Sequence, residues 1–251
     1  MRKIYIVYLL LLMCGCKKET AQQQAGICIS FDDRSILEWY EIRPLLNKYQ
    51  AKVTFFINDF ETLDSSQISM LKILKEEGHE IGSHGRMHAA SNQYIKEHSY
   101  TEYLAKEIDY NTEIMNIKGF PPTSFAYPFG TKYWFTDYLL LKRFEVLRGV
   151  STLNEGQQLE DLDAVYYDFD GSRIVSAIGI DKTTYVLTEE MISKGLKRAK
   201  DKREVLMFYG HVPADTNNHS VYAFNIQTLE YILNESQKNH LKYYTITELV
   251  Q

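Results

Sequence analysis

Short runs of β-branched and aromatic residues recur along the chain with helix-length segments between them, and several of these runs end on side chains that carry chemistry. Gly26 to Phe31 leads into Asp32-Asp33, Glu80 to Ser83 into His84-Gly85-Arg86-Met87-His88, Thr123 to Tyr127 into Pro128-Phe129, and Val205 to Tyr209 into Gly210-His211. Strands that alternate with helices favour a parallel sheet, because a parallel pair needs a crossover of about a dozen residues to bring the chain back. In parallel sheets and barrels the reactive groups gather where strands end and loops begin. The order of the runs therefore directs Asp32, Asp33, His84, His88 and His211 to one rim.

The remaining segments fit the same alternation. Ser35 to Tyr49 has the length and period of a helix, Lys52 to Ile57 reads as a strand, and Asp64 with Gln67 and Ser99 with Glu102 are spaced as helix N-terminal capping boxes. Phe144 to Leu147 and Lys242 to Ile246 read as strands, Glu189 to Ala199 and Ile226 to Ser236 as helices. Asn154 to Leu187 shows no clear period and receives no assignment. No repeat or proline-rich linker divides the body, so residues 26–251 are expected to form one α/β domain.

The first residues have the layout of an export signal, with Arg2 and Lys3 ahead of the apolar stretch Ile4 to Met13. Ten apolar residues are too few to cross a bilayer as a helix, which needs about 20. Leu12-Met13-Cys14-Gly15-Cys16 resembles a bacterial lipobox, in which cleavage after the glycine leaves a lipid-modified cysteine first. On that resemblance residues 1–15 are a lipoprotein signal peptide, Cys16 is the lipid anchor, residues 16–25 are a polar tether, and the protein faces the periplasm or exterior from the bacterial cell envelope. An ordinary secretory signal with incidental cysteines is the alternative. Only Cys28 would then remain, and one thiol forms no internal disulfide. With 33 acidic residues against 28 basic ones, nothing marks a nucleic-acid-binding surface.

Two neutral imidazoles and one carboxylate suit zinc or a similar divalent ion with a position left open for water. Imidazoles at i and i+4 share one side of a helical turn, so a turn of helix over His84 to His88 would aim both at one ion. Adjacent residues of an extended strand face opposite ways, so Asp32 and Asp33 can share a site only if the chain turns between them. A lone His-x3-His pair or a lone Asp-Asp is weak evidence; together, at neighbouring strand ends, they form a coherent set.

These segments, with Val53-Thr54-Phe55-Phe56-Ile57, Tyr127-Pro128-Phe129-Gly130 and Leu206 to His211, resemble the ordered motifs of the polysaccharide deacetylases, carbohydrate esterase family 4. The resemblance spans roughly residues 26 to 246. It implies a distorted (β/α) barrel with about seven repeats, fewer than the usual eight. It also implies that Asp33, His84 and His88 bind the metal, most simply Zn with Co or Ni as alternatives, that Asp32 is the general base, and that His211 is the general acid. Phe129, through its backbone N–H, and Tyr127 would face the oxyanion and substrate, an acetylated polysaccharide or oligosaccharide. The membrane would be met through the N-terminal lipid only.

Two departures from the family pattern stand out. Its third motif usually opens with an arginine that pairs with the catalytic aspartate, and Ala126 occupies that position here. Arg34 and Arg148 are the candidates to supply the charge. The aspartate- and tryptophan-bearing fourth motif has no clear match; Asp168 and Asp170 lie in the right region, beside Tyr166 and Tyr167. Trp134, Tyr133 and Phe135 line a sugar cleft or pack the barrel, and Trp39 reads as core. The expected function is removal of N-acetyl, or O-acetyl, groups from a glycan. The alternatives are a catalytically weakened carbohydrate-binding lipoprotein and a metallohydrolase of small amides.

Overall fold

Strand β1 (Gly26–Asp33) is buried along almost its whole length, as a strand with neighbours on both edges and cover on both faces must be. It is followed by β2 (Thr54–Ile57), β3 (Glu80–Ser83), β4 (Ser124–Ala126), β5 (Val146–Ser151), β6 (Tyr166–Tyr167), β7 (Ile174–Gly179), β8 (Val205–Gly210), β9 (Val212–Ala214), β10 (Ala223–Asn225) and β11 (Lys242–Tyr244). The computed structural model describes residues 23–182, 187–215 and 222–251. Among these residues, β1, β2, β3, β4, β5, β7 and β8 pair side by side and in parallel. Strand β8 then returns to β1 over Gly26↔Val205 to Phe31↔Gly210, closing a seven-stranded (β/α) barrel.

The period of two along each strand sorts the side chains. Ile27, Ile29 and Phe31 join the large outer core beneath the helices, where Phe31 stacks on Phe224 and Trp39 tilts onto Phe55. Cys28 belongs to the inner cluster with Phe56, Val146, Ala177 and Met207. Ser30 and Asp32 follow Cys28 on the inward face. On β5 the same alternation turns Val146 and Arg148 inward and leaves Leu147 in a separate outer cluster with Phe125 and Phe144. The lower end of the barrel is closed by polar contacts to the Glu80 carboxylate, which accepts from the hydroxyls of Thr54, Ser124 and Thr247 and from the Thr247 N–H.

Several sequence expectations change. The helix expected over Ser35 to Tyr49 is two helices, Ile36–Glu41 and Arg43–Lys48, because Pro44 sits in the first turn of the second, where its missing N–H costs nothing. The unassigned stretch holds β7, without which the ring would not close. Strand β11 lies outside the ring, paired with the first three residues of β1. Residues 1–22, which carry the lipobox-like segment, Cys16 and most of the tether, lie outside the described residues. Among the described residues no helix is long and apolar enough to cross a membrane.

Candidate active site

The upper ends of β1, β3, β4, β5 and β8 surround a pocket of about 470 Å³ lined by Asp32, Asp33, His84, His88, Tyr127, Phe129, Arg148, Tyr209, His211 and Tyr222, among others. Asp32 and Asp33 share it because Asp33 leaves the extended conformation: its φ of 82° turns the chain at the last position of β1. His84 and His88 are brought together differently from the helical turn expected. The segment after β3 is a bent loop with Gly85 at φ 80° and His88 at φ 54°, and two left-handed residues within five exclude a helix.

Asp33 Oδ1 lies 3.3 Å from His88 Nε2 and 3.7 Å from His84 Nε2. A tetrahedral ion with bonds of about 2.1 Å separates its donors by about 3.4 Å, between those two values. His84 Nδ1 is 2.9 Å from the Ala126 carbonyl, an acceptor, so Nδ1 carries the proton and Nε2 presents a lone pair. Burial drives the His84 pKa down to about 4, which keeps that ring neutral near pH 7 despite the nearby Asp32 and Asp33 carboxylates. Asp33 Oδ1 is buried and accepts no hydrogen bond. The unprotonated Nε2 of His84, a carboxylate oxygen of Asp33 that accepts no hydrogen bond and the second imidazole, His88, converge on one point, and such a donor set fits a divalent metal.

Asp32 faces the barrel interior beside this group. Arg148 is fully buried and donates from Nη2 to both Asp32 oxygens, with its guanidinium over the rings of Phe56 and Tyr209. Burial pushes the Asp32 pKa up, but the charge and hydrogen bonds of Arg148, with the charge of His211, outweigh it and hold the carboxyl below its ordinary value. Arg148 is the register partner of Ala126, so the guanidinium comes from β5 at the level where β4 offers only a methyl. Arg34 points elsewhere and pairs with Asp59 at 3.0 Å.

Across the pocket, His211 Nε2 is 4.0 Å from Asp33 Oδ2. Its Nδ1 lies 2.7 Å from Asp181 Oδ2, and Asp181 Oδ1 accepts the His211 N–H at 3.0 Å. Burial depresses the His211 pKa, yet the hydrogen bond to Asp181 and the charges of Asp32, Asp181 and Asp33 raise it above the ordinary imidazole value. Trp39, expected in the core, is there, and its indole N–H also donates to the His211 carbonyl at 2.7 Å.

Asp181 is the site residue that the sequence reading missed. It follows β7, inside the stretch that showed no period, and the run Ile174-Val175-Ser176-Ala177-Ile178-Gly179 ahead of it was the available signal. Asp168 and Asp170 are exposed, are engaged in local turns, and do not line the pocket. Tyr127 lines it, but its hydroxyl donates to Asp137 at 2.9 Å. Phe129, with φ 57°, lies over the pocket with its ring 4.5 Å from that of His88.

Residues 19–142 match the model of the family described as polysaccharide deacetylase. No curated protein matches the chain. Among solved structures, the chitin deacetylase of the fungal pathogen Colletotrichum lindemuthianum aligns with a TM-score of 0.55 at 13% identity, over 91% of this chain and 88% of that one. The catalytic domain of peptidoglycan N-acetylglucosamine deacetylase from Eubacterium rectale gives 0.54 at 14% identity, over 91% of each chain. Peptidoglycan deacetylase PdaC from Bacillus subtilis gives 0.52 at 17% identity, over 90% of each. At such identities the likeness is one of fold.

Two outcomes follow from the electrostatics. Arg148→Met strands a buried carboxylate and should cost about 3–5 kcal/mol at pH 7 in urea denaturation, most of it recovered by adding Asp32→Asn. The Arg148 contribution exists above the unfolded-state pKa of Asp32 and is lost as pH falls through the depressed folded-state value, so the deficit should shrink in acid. A deficit unaffected by Asp32→Asn would contradict the pairing. In Asp181→Asn, an NMR titration should place His211 at lower pH than in the parent; equal midpoints would show that Asp181 does not set the charge of the ring.

Proposed function

Because the chain belongs to the polysaccharide deacetylase family, we propose that it is a metal-dependent hydrolase that removes N-acetyl, or alternatively O-acetyl, groups from a polysaccharide or glycan oligomer. One observation carries this reading: the ligand atoms of Asp33, His84 and His88 converge beside a carboxylate held ionised by Arg148 and opposite an imidazole held by Asp181. Asp33, His84 and His88 would hold one divalent cation, zinc or else cobalt or nickel. Bound there, the ion would supply Lewis acidity, polarising the acetyl carbonyl and making water easier to deprotonate.

The protein's own groups do the rest. Asp32 accepts the proton of the attacking water, whose oxygen bonds to the acetyl carbon. The Phe129 backbone N–H donates to the oxyanion that develops on the carbonyl oxygen. An amine leaves poorly as an anion, so His211 gives the nitrogen a proton from Nε2 as the C–N bond breaks, and acetate and free amine depart. Asp181, on Nδ1, keeps that ring protonated and oriented.

The substrate class rests on the family, on the open pocket and on the neighbours' names, which specify chitin and peptidoglycan deacetylases. Phe129 and Trp134 follow β4 at the rim and are 62% and 79% exposed, offering flat apolar faces of the kind on which sugar rings stack. The lipobox-like Leu12 to Cys16 supports lipid anchoring through Cys16 in a bacterial envelope. Since the tether would enter β1 at Gly26, the opposite end of the barrel from the pocket, an anchored protein would present its site away from the membrane.

The purified protein with zinc, cobalt or nickel should release acetate from N-acetylglucosamine oligomers, chelation should stop it, and Asp32→Asn should lower kcat/KM by about 10²–10⁴-fold. No release from any acetylated glycan with metal bound would leave the binding-only lipoprotein as the better account. For the anchor, Cys16→Ala should move the protein from the membrane to the soluble fraction of an expressing bacterium, and unchanged partitioning would remove the proposal.

A further inference from the structure

The loop that carries His88 is held from beneath by one buried side chain that the chemistry above does not use. Glu107 lies in a single widened, π-helical turn, Leu104–Asp109, between the helical segments Tyr100–Tyr103 and Tyr110–Ile117, and it is fully buried. Its carboxylate accepts the N–H of Met87 at 2.7 Å on Oε2 and the N–H of Ala89 at 2.8 Å on Oε1. Its backbone carbonyl accepts the N–H of Arg86 at 3.0 Å. Three amides of one loop thus end on one residue, and the two that reach the carboxylate flank His88.

Neighbouring features serve the same contact. Gly85 has φ 80°, and a Cβ added there would lie 2.5 Å from Glu107 Oε1, so the carboxylate occupies the space that a side chain at position 85 would need. One turn further along the helix, Asn111 donates to Ser83 Oγ at 3.1 Å and accepts the Phe60 N–H at 3.0 Å, fixing the strand end just before His84. On the outer side of the loop, Arg86 pairs with Glu61 at 2.7 Å. A π-helical turn interrupts regular helical hydrogen bonding and tends to be retained where its altered geometry places a side chain usefully.

His88 is a non-glycine residue in the left-handed region, a conformation that persists only when its surroundings hold it there. A carboxylate straddling it, one oxygen on the N–H of the residue before and the other on that of the residue after, is such a restraint. We propose that Glu107 is a positioning residue that holds His88 in the backbone conformation from which its Nε2 reaches Asp33 Oδ1. The proposal rests on the reading that Asp33, His84 and His88 hold a divalent cation. Carboxylates that orient a metal-binding imidazole usually accept from its ring N–H; this one would act on the backbone on either side.

Glu107→Gln keeps the size of the side chain but replaces one carboxylate oxygen with an NH2 group, which cannot accept from a backbone N–H. Cobalt titration of the full chain, followed by visible absorption, should show about 10–100-fold weaker binding in the variant and a changed absorption intensity. Hydrogen exchange of the metal-free proteins should show the Met87 or Ala89 amide opening about tenfold faster in the variant, the loss of about one hydrogen bond. Near-ultraviolet circular dichroism verifies the fold; if Glu107→Gln does not fold, Glu107→Asp, which keeps the charge and shortens the reach, takes its place with the same expectation. A folded variant with parental cobalt affinity and spectrum overturns the positioning role, since a merely stabilising contact would move the melting temperature and leave the metal untouched. A parent that binds no cobalt overturns it by another route, because the metal reading itself then fails.

Discussion

The parallel pairing of β8 with β1 is the contact on which the site depends, because it turns an open sheet into a ring. In an open sheet, the first and last strands would sit far apart, with His211 remote from Asp33. Closed, the same strands place His211 Nε2 4.0 Å from Asp33 Oδ2, and residues separated by most of the chain share one pocket. Closure also divides side chains into inward and outward sets. Asp32 and Arg148 lie on inward-facing registers of strands that do not touch, and the guanidinium spans the barrel interior between them.

That ion pair is better understood as a control of charge than as a source of stability. Burying two charges costs about as much as their attraction returns, so a paired Asp32 and Arg148 add little net stability. What the pair does is keep a buried carboxyl ionised where burial alone would protonate it. On the far side Asp181 does the converse for His211, favouring the protonated ring. An ionised carboxylate and a protonated imidazole, facing each other across a pocket, are the two starting states that the proposed amide hydrolysis would require of its base and its acid.

Much of this arrangement is legible in the amino-acid order. The strand ends at Asp32-Asp33, His84 and His211 announce themselves because each follows an apolar run, and the alternation of strands with helices points to the barrel. What the order hides has physical causes. β7 is as long as β5, but it carries Ser176 and Gly179 and its residues alternate in burial, so it looks like the turns around it, and Asp181 is hidden with it. The path from His84 to His88 depends on the left-handed conformations of Gly85 and His88, which hydrogen bonds from a distant helix hold and local spacing does not reveal. The placement of Arg148 follows from register, which is a property of pairing between strands: only when Ala126 and Arg148 are side by side is it apparent that one strand supplies what its neighbour lacks.

The proposed hydrolysis needs a divalent cation held by Asp33, His84 and His88. Diffraction from zinc-soaked crystals, with anomalous data on either side of the zinc edge, tests it most directly. One anomalous peak is expected, about 2.0–2.2 Å from a carboxylate oxygen of Asp33 and from Nε2 of His84 and of His88, with Asp32 unligated and still paired with Arg148. A peak bound by other residues, or no peak at these three with zinc in excess, would mean that Asp33, His84 and His88 do not hold the cation.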